Sequence, residues 1–300
     1  MVTGPAAARS SCGELSAQIS HNGIAPVARI SGPYSRTALR ELPPMSDAAL
    51  RCQNAILRSI SVKELSLLSP LMERVALKRR RVLHFPNVPT EYVYFIESGL
   101  VSVLANAGQG KNVEVWLIGP EGVAGFPVVL GEVSAPHRRV VQVEGHAYRI
   151  SAKDLMKAVN ELPQLRRVLL KYIQAVIIQT SQLGVCNAAH SVEQRVARWL
   201  IMAQDRCQTE SIAMTHEMLS RMLGVRRATI SRCIQSHEDA GILSRSRSLI
   251  RIRKRAQLEE IACVCYGIIR EADEWLMVKC GNYRGVREFA AVLAALPTLT

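Results

Sequence analysis

The sequence lacks any long hydrophobic run and any recognisable leader. No apolar stretch reaches the roughly 18 residues that a membrane span needs, and Met1 to Ser20 contains no basic stretch followed by an apolar core. These absences predict a chain without a membrane partner, and we expect it in the cytoplasm.

The cysteines are too scattered to form an evident metal site. The eight cysteines stand at positions 12, 52, 186, 207, 233, 263, 265 and 280, and no pair has the two-residue gap that zinc or cluster ligands favour. Only Cys263 and Cys265 are close in sequence, and a single intervening residue is a poor spacing for chelation. We expect reduced thiols, with no metal and no cofactor; metal binding or redox sensing at Cys263 and Cys265 is the alternative.

Catalytic motifs are also missing. The chain has no nucleophile elbow, Walker loop, dinucleotide fingerprint or metal-protease pair. His216-Glu217 resembles the beginning of a zinc-protease helix, but no second histidine stands four positions further on. We therefore expect a protein that is not an enzyme.

Acidic residues are scarce relative to basic ones. The 25 Asp and Glu residues stand against 38 Lys and Arg residues, which gives a net charge of +13. Such an excess suits a polyanion such as nucleic acid or an anionic membrane face. Between Arg221 and Arg255, ten basic residues are opposed only by Glu238 and Asp239. This concentration in one segment indicates a nucleic-acid footprint.

The chain divides by composition into segments with different periodicity. Residues 1–45 mix Gly, Pro, Ser, Ala and Arg without a repeat and predict a disordered N-terminal extension. Helical spacing begins at Ser46 and stops at Pro70. From Val75 to Ile150, short β-branched and aromatic runs separated by glycines predict an antiparallel sandwich or roll. We assign residues 46–160 to this domain.

A long helix is predicted from Pro163 to about Val185. Apolar and neutral residues recur at alternating intervals of four and three, which is the spacing of a two-stranded coiled-coil seam: Leu165, Leu169, Tyr172, Val176, Gln179 and Leu183. We therefore assign residues 161–187 to a dimerisation helix and expect a homodimer. The alternative is a single helix buried against its own domain, because Ile173 and Ile177 widen the apolar face.

The segment Met214 to Ser236 has the pattern of a helix-turn-helix. Thr215 is a candidate cap of the first helix, and Gly224 supplies the turn. Val225, Ile230 and Cys233 are expected on the buried side of the second helix. The predicted DNA-binding residues of this segment are Thr215, Arg226, Arg227, Ala228, Thr229, Ser231 and Arg232.

A small hairpin follows the second helix. Ile242-Leu243 and Leu249–Ile252 alternate like two short strands, and the connecting residues combine cations with hydroxyls that suit phosphate oxygens. This pattern predicts a wing in which Arg245 and Arg247 contact DNA, with further phosphate contacts from Arg226 and the run Arg251–Arg255. The winged domain is assigned to residues 188–258, and residues 259–300 to a C-terminal helical extension or tail.

A roll, a long helix and a winged helix-turn-helix in this order resemble the Crp/Fnr superfamily of bacterial transcription regulators, over roughly residues 46–260. The matching stretches are Val93–Val103 and Gly224–Arg232. The resemblance implies an α+β fold with an N-terminal, jelly-roll-like antiparallel β-roll that is similar to a cyclic nucleotide-binding domain and senses a signal. It also implies a homodimer on a two-fold symmetric operator in double-stranded DNA, with RNA polymerase as a further partner.

The chain departs from the superfamily pattern where a cyclic nucleotide would bind. Such members carry Gly-Glu-Leu and then Arg-Ser or Arg-Thr, whereas this chain has Gly125-Phe126-Pro127 and His137-Arg138-Arg139. The carboxylate for the ribose is missing, so a cyclic nucleotide is not expected. Arg138 and Arg139 remain candidates for holding an anion, and with Gly125 and Phe126 they form the predicted effector site.

Other signals known in the superfamily find little support. Members with an iron–sulfur cluster place several cysteines together near the N-terminus, whereas only Cys12 and Cys52 precede this roll. Members with haem use a histidine of the roll, for which His84 and His146 are the candidates.

The recognition helix also differs from the common pattern. Many members read their operator with Arg-Glu-x-x-x-Arg, and here Arg227 and Arg232 match the arginines while Ala228 replaces the glutamate. The operator should therefore differ from the best-known sites of the superfamily. The alternative function is a sensing roll that acts through protein contacts, with a basic region that binds anionic partners unspecifically.

Overall fold

A computed structural model describes residues 52–277 of the chain. The predicted extension 1–45, the beginning of the first helical stretch up to residue 51, and the end of the C-terminal segment from residue 278 lie outside the described residues.

Two short helices precede the roll. Helix α1 spans Ala55–Arg58 and begins at Asn54, whose side chain accepts a hydrogen bond from the Leu57 amide. Helix α2 spans Val62–Leu68 and is capped in the same way by Ser61. A 3₁₀ turn at Ser69–Leu71 then ends the predicted helical stretch at its proline.

The roll is a six-stranded antiparallel sheet. Its strands are β1 Glu73–Leu77, β2 Val82–His84, β3 Tyr92–Asn106, β4 Asn112–Ile118, β5 Val123–Ala124 and β6 Arg138–Ser151. The order is β1-β6-β3-β4, with β2 beside β6 and β5 beside β3. The predicted antiparallel roll is confirmed.

Strands β3 and β6 form the centre of the roll and are long enough to bend. They pair from Tyr92 opposite Ser151 to Leu104 opposite Arg138, and the register shifts between Ile96 and Val101. Bulges of this kind bend a strand and increase its twist. A side chain at Gly145 would overlap the backbone of Ser98, so glycine is needed where the two strands come closest.

Two helices follow the roll and cover one of its sides. Helix α3 spans Ala152–Glu161, and Ser151 caps it by accepting a hydrogen bond from the Asp154 amide, as the sequence predicts. Helix α4 spans Pro163–Ala189. Its buried face joins one core with the strands, to which Phe95, Ile118 and Val141 contribute.

The residues predicted as a dimer seam lie on this buried face of α4. Leu165, Leu169, Tyr172, Val176, Gln179 and Leu183 are all buried within the chain itself. Gln179 even accepts a hydrogen bond from the Leu117 amide of β4 through Oε1, at 3.1 Å. The prediction that these six residues meet a second copy is therefore wrong, because the roll covers them first. The alternative of a helix packed on its own domain describes this face correctly.

By length and composition alone, α4 would be able to cross a membrane, and it is the one such helix within residues 52–277. A core helix of a soluble protein meets the same criterion, and the apolar residues of α4 are used in packing on the roll. The helix therefore gives no separate argument for a membrane.

The winged domain begins with helix α5 at Val192–Cys207. It continues with β7 Ser211–Ile212, α6 His216–Leu223, α7 Arg227–Asp239, β8 Leu243–Ser246 and β9 Leu249–Ile252. The three strands form a small sheet in the order β7-β9-β8. A second core, which includes Trp199, Leu219, Ile230 and Ile250, holds these elements together.

Two further helices close the described chain. Helix α8 spans Arg255–Ile261 and packs on α5, and α9 spans Cys265–Met277 and packs along α4. Side chains of the winged domain also bond to the roll: Arg206 forms ion pairs with Glu121 at 2.8 Å and with Asp273 of α9 at 2.7 Å. The winged domain is thus joined to the roll by buried polar contacts.

Candidate nucleic-acid interface and effector site

The helix-turn-helix has the local geometry that its sequence predicts. Thr215 caps α6 by accepting a hydrogen bond from the Met218 amide at 3.2 Å. Gly224 has a φ of +64°, a left-handed conformation that favours glycine. His216 Nδ1 and Ser231 Oγ lie 2.9 Å apart and join the two helices. The predicted cap and turn are confirmed, while the side chains of Thr215 and Ser231 are already engaged within the domain.

The buried side of the recognition helix α7 differs in part from the prediction. Ile230 is fully buried as expected, whereas Val225 and Cys233 are only half-buried at its border. The other residues that face the core are Ile234 and His237, which follow Ile230 at intervals of four and three. Helical spacing from Ile230 would have found both of them.

The outer side of α7 carries cations that have no partner in the described chain. Arg226, Arg227 and Arg232 are exposed, and their side chains form no ion pair or hydrogen bond with any residue from 52 to 277. Ala228 is exposed beside them, and Thr229 is half-buried. Three unneutralised guanidinium groups at one helix end produce a positive potential that attracts an anion.

The wing is formed as predicted by β8 and β9, but its arginines differ in their surroundings. Arg247 is exposed at the tip and is unpaired within the described residues, next to Ser248 with its φ of +62°. Arg245 instead bonds to the recognition helix, with Nε 3.0 Å from Glu238 Oε2 and Nη2 2.9 Å from Gln235 Oε1. Arg245 therefore holds the wing against α7.

The run from Arg251 to Arg255 is occupied in part. Arg251 pairs with Glu210 at 2.6 Å, and Arg255 pairs with Asp205 and with Glu259 at the junction of α5 and α8. These two arginines stabilise the domain. Arg253 is exposed and donates only from Nε to Ser244 Oγ at 3.0 Å, so its Nη groups have no partner among the described residues.

The hydrogen bond between His216 and Ser231, which joins the two helices, involves a neutral imidazole. Burial lowers the pKa of His216, and the charges of Arg245 and Arg227 lower it further. A neutral imidazole keeps its bond to Ser231 without adding to the positive charge of the surface.

The predicted effector residues Gly125 and Phe126 lie at one edge of the roll interior. Gly125 has a φ of +111° and begins a short 3₁₀ helix, Phe126–Leu130. A β-carbon at Gly125 would approach Cε1 of His84 to 3.2 Å. The ring of Phe126 lies 5.9 Å from that of Trp116 and 6.2 Å from that of Tyr172. Tyr172 thus belongs to this aromatic cluster and not to a dimer seam.

Arg139 lies inside the roll, in contrast to its neighbour Arg138. Arg139 is 1% exposed, and its only hydrogen bond to a described residue runs from Nη1 to the His137 carbonyl at 3.3 Å. Its Nε and Nη2 have no partner within the described residues, and burial lowers its pKa to about 10. Arg138 instead lies over the ring of Phe85 at 5.5 Å. Successive residues of a strand face opposite sides, so the structure separates the two arginines.

Further buried polar atoms in this part of the roll have no hydrogen-bond partner among residues 52–277. They include Nε1 of Trp116 and Nδ1 of His84, the residue opposite Arg139 across the β2–β6 pair. Burial lowers the pKa of His84 to about 4, so its ring is neutral at physiological pH. Because His84 is neutral and its Nε2 donates to the Tyr92 carbonyl oxygen, its Nδ1 is an acceptor, whereas Trp116 Nε1 and the unpaired nitrogens of Arg139 are donors. Buried polar groups of native proteins are normally hydrogen-bonded, so this mixed group of donors and an acceptor fits a polar ligand. Trp116 carries no sequence signal that would have placed it here.

The two histidines proposed for haem lie apart. His84 has Nε2 2.8 Å from the Tyr92 carbonyl oxygen, so that nitrogen already has a partner. His146 lies half-buried further along β6, opposite Ala76.

A roll, a long helix packed on it and a winged helix-turn-helix together have the architecture of a two-domain transcription regulator. Two family models match in the same order: a cyclic nucleotide-binding domain at residues 74–161 and a Crp-like helix-turn-helix domain at residues 194–261. The chain belongs to the Crp/Fnr superfamily of transcription regulators.

Individual relatives are distant. The global nitrogen regulator of Synechocystis sp. is 21% identical over 204 residues, which cover 65% of this chain and 89% of that protein. The global nitrogen regulator of Nostoc sp. is 22% identical over 190 residues, which cover 60% of this chain and 85% of the relative.

Solved structures share the fold at similar identity. FixK2 from Bradyrhizobium japonicum has a TM-score of 0.56 at 19% identity, covering 64% of this chain and 98% of its own. The c-di-GMP responsive global regulator CLP of Xanthomonas campestris has a TM-score of 0.55 at 14% identity, covering 64% of this chain and 99% of that structure's chain. At these identities the similarity establishes the architecture alone. The operator sequence and the signal have to be inferred from this chain's own residues.

Proposed function

We propose that this chain is a cytoplasmic, homodimeric regulator that binds a two-fold symmetric operator in double-stranded DNA and responds to a small anionic effector in its roll. The observation that carries the proposal is the set of exposed, unpaired arginines on the outer face of the winged helix: Arg226, Arg227, Arg232 and Arg247. In a protein whose other wing arginines are paired, these four are available to DNA.

The positions of these arginines indicate which of them would contact bases and which would contact phosphates. Arg227 and Arg232 lie on the recognition helix, and arginine is the natural bidentate partner of guanine O6 and N7. Thr229 and Ala228 lie between them, and a methyl group there suits the methyl of thymine. Arg226 and Arg247 flank the helix at its beginning and at the wing tip, where phosphate contacts supply affinity without reading the sequence.

The proposed dimer uses the face of α4 that the roll leaves uncovered. Residues spaced by four and three are exposed along this face, and we call them the dimer stripe: Leu170, Gln174, Ile177, Ser181, Gly184 and Ala188. Leu170 is 47% exposed and Ile177 is 59% exposed. Exposed apolar residues at coiled-coil spacing support a helix-to-helix contact between two copies.

The proposed effector is anionic because Arg139, buried inside the roll, has no counter-ion among residues 52–277. Arg139 is the candidate anion ligand. Trp116 Nε1 can donate a further hydrogen bond and His84 Nδ1 can accept one, and neither atom has a partner within the described part of the chain. The missing carboxylate at Phe126 argues against a ribose-containing ligand. RNA polymerase is proposed as a further partner on the resemblance to the superfamily alone.

Substitution of single arginines tests the division between bases and phosphates. Arg227→Ala and Arg232→Ala should each weaken binding to an operator by about 1 to 3 kcal/mol and relax the preference at one base pair. Arg247→Ala should weaken binding to all sequences alike. Arg58→Ala, at the exposed end of helix α1 and outside the winged domain, is the matched control and should bind like the wild type. Equal losses on operator and random DNA for all three interface variants would refute the assignment.

A further inference from the structure

Four residues that bind soft metals converge where the long helix ends. Cys186 and His190 lie one turn apart at the end of α4, Cys263 lies in the link between α8 and α9, and Cys265 is the first residue of α9. Their ligand atoms all lie within 4.8 Å of one another. The sulfurs of Cys186 and Cys263 are 3.4 Å apart, and Cys265 Sγ is 3.4 Å from His190 Nδ1. Metal binding at Cys263 and Cys265 is the alternative that the sequence suggests, but no local pattern connects them with Cys186 and His190, because some 75 residues separate the two halves.

The local backbone explains how two cysteines with one residue between them serve the same site. Helix α8 ends at Ile261, and Ala262 after it is extended, with φ −64° and ψ 147°. Val264 is 71% exposed, whereas the cysteines on either side are buried at 5% and 0%. The chain therefore turns Val264 outward and both thiols inward, which a helix would not do at this spacing.

The distances fit a single tetrahedral ion. Zinc binds thiolates at about 2.3 Å and imidazole nitrogen at about 2.0–2.1 Å, so tetrahedral donors lie roughly 3.5–3.8 Å apart. The two closest pairs here are within a few tenths of an ångström of that range. An iron–sulfur cluster, whose thiolates bind different irons separated by sulfides, needs its ligands farther apart. Three cysteines and one histidine, with the cysteines buried, form a closed set of four ligands of the kind that structural zinc sites use.

The surroundings supply the outer partners that such a site needs. Gln182 donates a hydrogen bond from Nε2 to Cys265 Sγ at 3.2 Å. Zinc with three thiolates and a neutral imidazole carries one net negative charge. Arg198 is 1% exposed, and its Nε has no hydrogen-bond partner within residues 52–277. Arg198 is close enough to Cys186 for its charge to act on that sulfur. This buried cation can therefore balance the net negative charge of the zinc site.

We propose that Cys186, His190, Cys263 and Cys265 bind one zinc ion, which ties the end of α4 to the segment that follows the winged domain. His190 also stands two residues before α5, which begins at Val192 after its cap Ser191 and leads into the DNA-binding elements. The ion therefore fixes the direction in which the winged domain leaves α4. Its removal should loosen α9 and the winged domain while leaving the roll folded.

Metal analysis of the intact, full-length protein tests the proposal. Protein purified under reducing conditions should contain about one zinc per chain. Cys263→Ser, Cys265→Ser and His190→Ala should each lower this content at least several-fold. Cys207→Ser is the matched control, because Cys207 is a partly buried thiol of the same domain outside the cluster, and it should retain the zinc. Equal zinc content in all variants, or none in the wild type, would overturn the proposal.

Cobalt substitution keeps the test valid if the variants fold poorly. Wild-type protein stripped of zinc by a chelator should bind about one Co²⁺ per chain, with the intense visible bands of tetrahedral cobalt and a sulfur-to-cobalt charge-transfer band. Zinc should then displace the cobalt. Failure to bind Co²⁺, or a weak spectrum typical of octahedral oxygen ligands, would contradict the assignment. A Cys186–Cys263 disulfide or a bound iron cluster in protein isolated without air would also contradict the zinc assignment.

Discussion

Trp199 of α5 donates a hydrogen bond from Nε1 to Glu114 Oε1 of β4 at 2.7 Å, and this bond joins the winged domain to the roll. Ser102 donates to the other oxygen of the same carboxyl group. Burial raises the pKa of Glu114 to about 7, although both hydrogen bonds and the charges of Arg198 and Arg206 oppose the shift. The domain contact therefore depends on a carboxyl group that titrates near neutral pH.

This pKa predicts a specific dependence of stability on pH. Between pH 4.5 and about 7, the unfolded chain releases the Glu114 proton while the folded chain keeps it. The free energy of unfolding should therefore fall as pH rises through this window, by up to about 3 kcal/mol from this group. Glu114→Gln mimics the protonated form and should remove this decrease, as measured by urea unfolding at pH 5 and pH 8.

Glu132→Gln is the control for that experiment, because Glu132 is an exposed carboxylate of the same domain. It should leave the pH dependence of the wild type intact. A Glu114→Gln variant that loses as much stability as the wild type between pH 5 and pH 8 would show that the carboxyl group is not protonated in the folded chain.

The distinction between free and paired wing arginines predicts different salt dependence. Arg247 is free to bind a phosphate, so Arg247→Ala should lower the slope of log affinity against log salt by about one. Arg251 is paired with Glu210 in the same hairpin, and Arg251→Ala should leave the slope nearly unchanged. Titration of a fluorescent duplex at several salt concentrations measures both slopes. Identical slopes for the two variants would contradict the distinction.

The dimer stripe predicts that a single charged substitution in it disrupts the dimer. Ile177→Glu places a carboxylate at the centre of the stripe and should convert the dimer to a monomer in sedimentation experiments. Val133→Glu is the matched control, since Val133 is an apolar residue of the roll that is 72% exposed. It should leave the dimer intact. A dimeric Ile177→Glu protein would place the contact elsewhere.

The unpaired guanidinium inside the roll predicts a gain of stability on its removal. Arg139→Met eliminates a buried charge whose Nε and Nη2 lack partners within the described residues, and should raise the free energy of unfolding of the ligand-free protein by about 1 to 3 kcal/mol. Arg138→Met, next in sequence but partly exposed, should change it by no more than about 0.5 kcal/mol. Thermal or urea unfolding compares the two. A destabilised Arg139→Met protein would mean that Arg139 serves the fold and not a ligand.

Local chemistry made part of the fold predictable. The caps at Ser151 and Thr215 and the turn at Gly224 depend only on neighbouring residues, and the structure contains all three. The strands of the roll were predictable in the same way from their β-branched runs.

Contacts between residues far apart in sequence were not predictable from local patterns. The spacing of Leu165 to Leu183 indicates an apolar face but not which surface covers it, and the roll covers it here. Arg251 looks free in sequence because its partner, Glu210, lies 41 residues away. Cys186 and Cys263 meet only because α9 packs along α4. Each difference arises from contacts that no local pattern encodes.

Selection of random duplex DNA by the purified protein, at about 0.15 M salt to screen unspecific phosphate binding in part, tests the central claim most directly. The account predicts a two-fold symmetric motif whose half-sites lie about one helical turn apart and differ from the best-known sites of the superfamily at the base pair opposite Ala228. A bound pool without any motif would contradict it, and would mean that the basic surface serves an anionic partner without reading sequence.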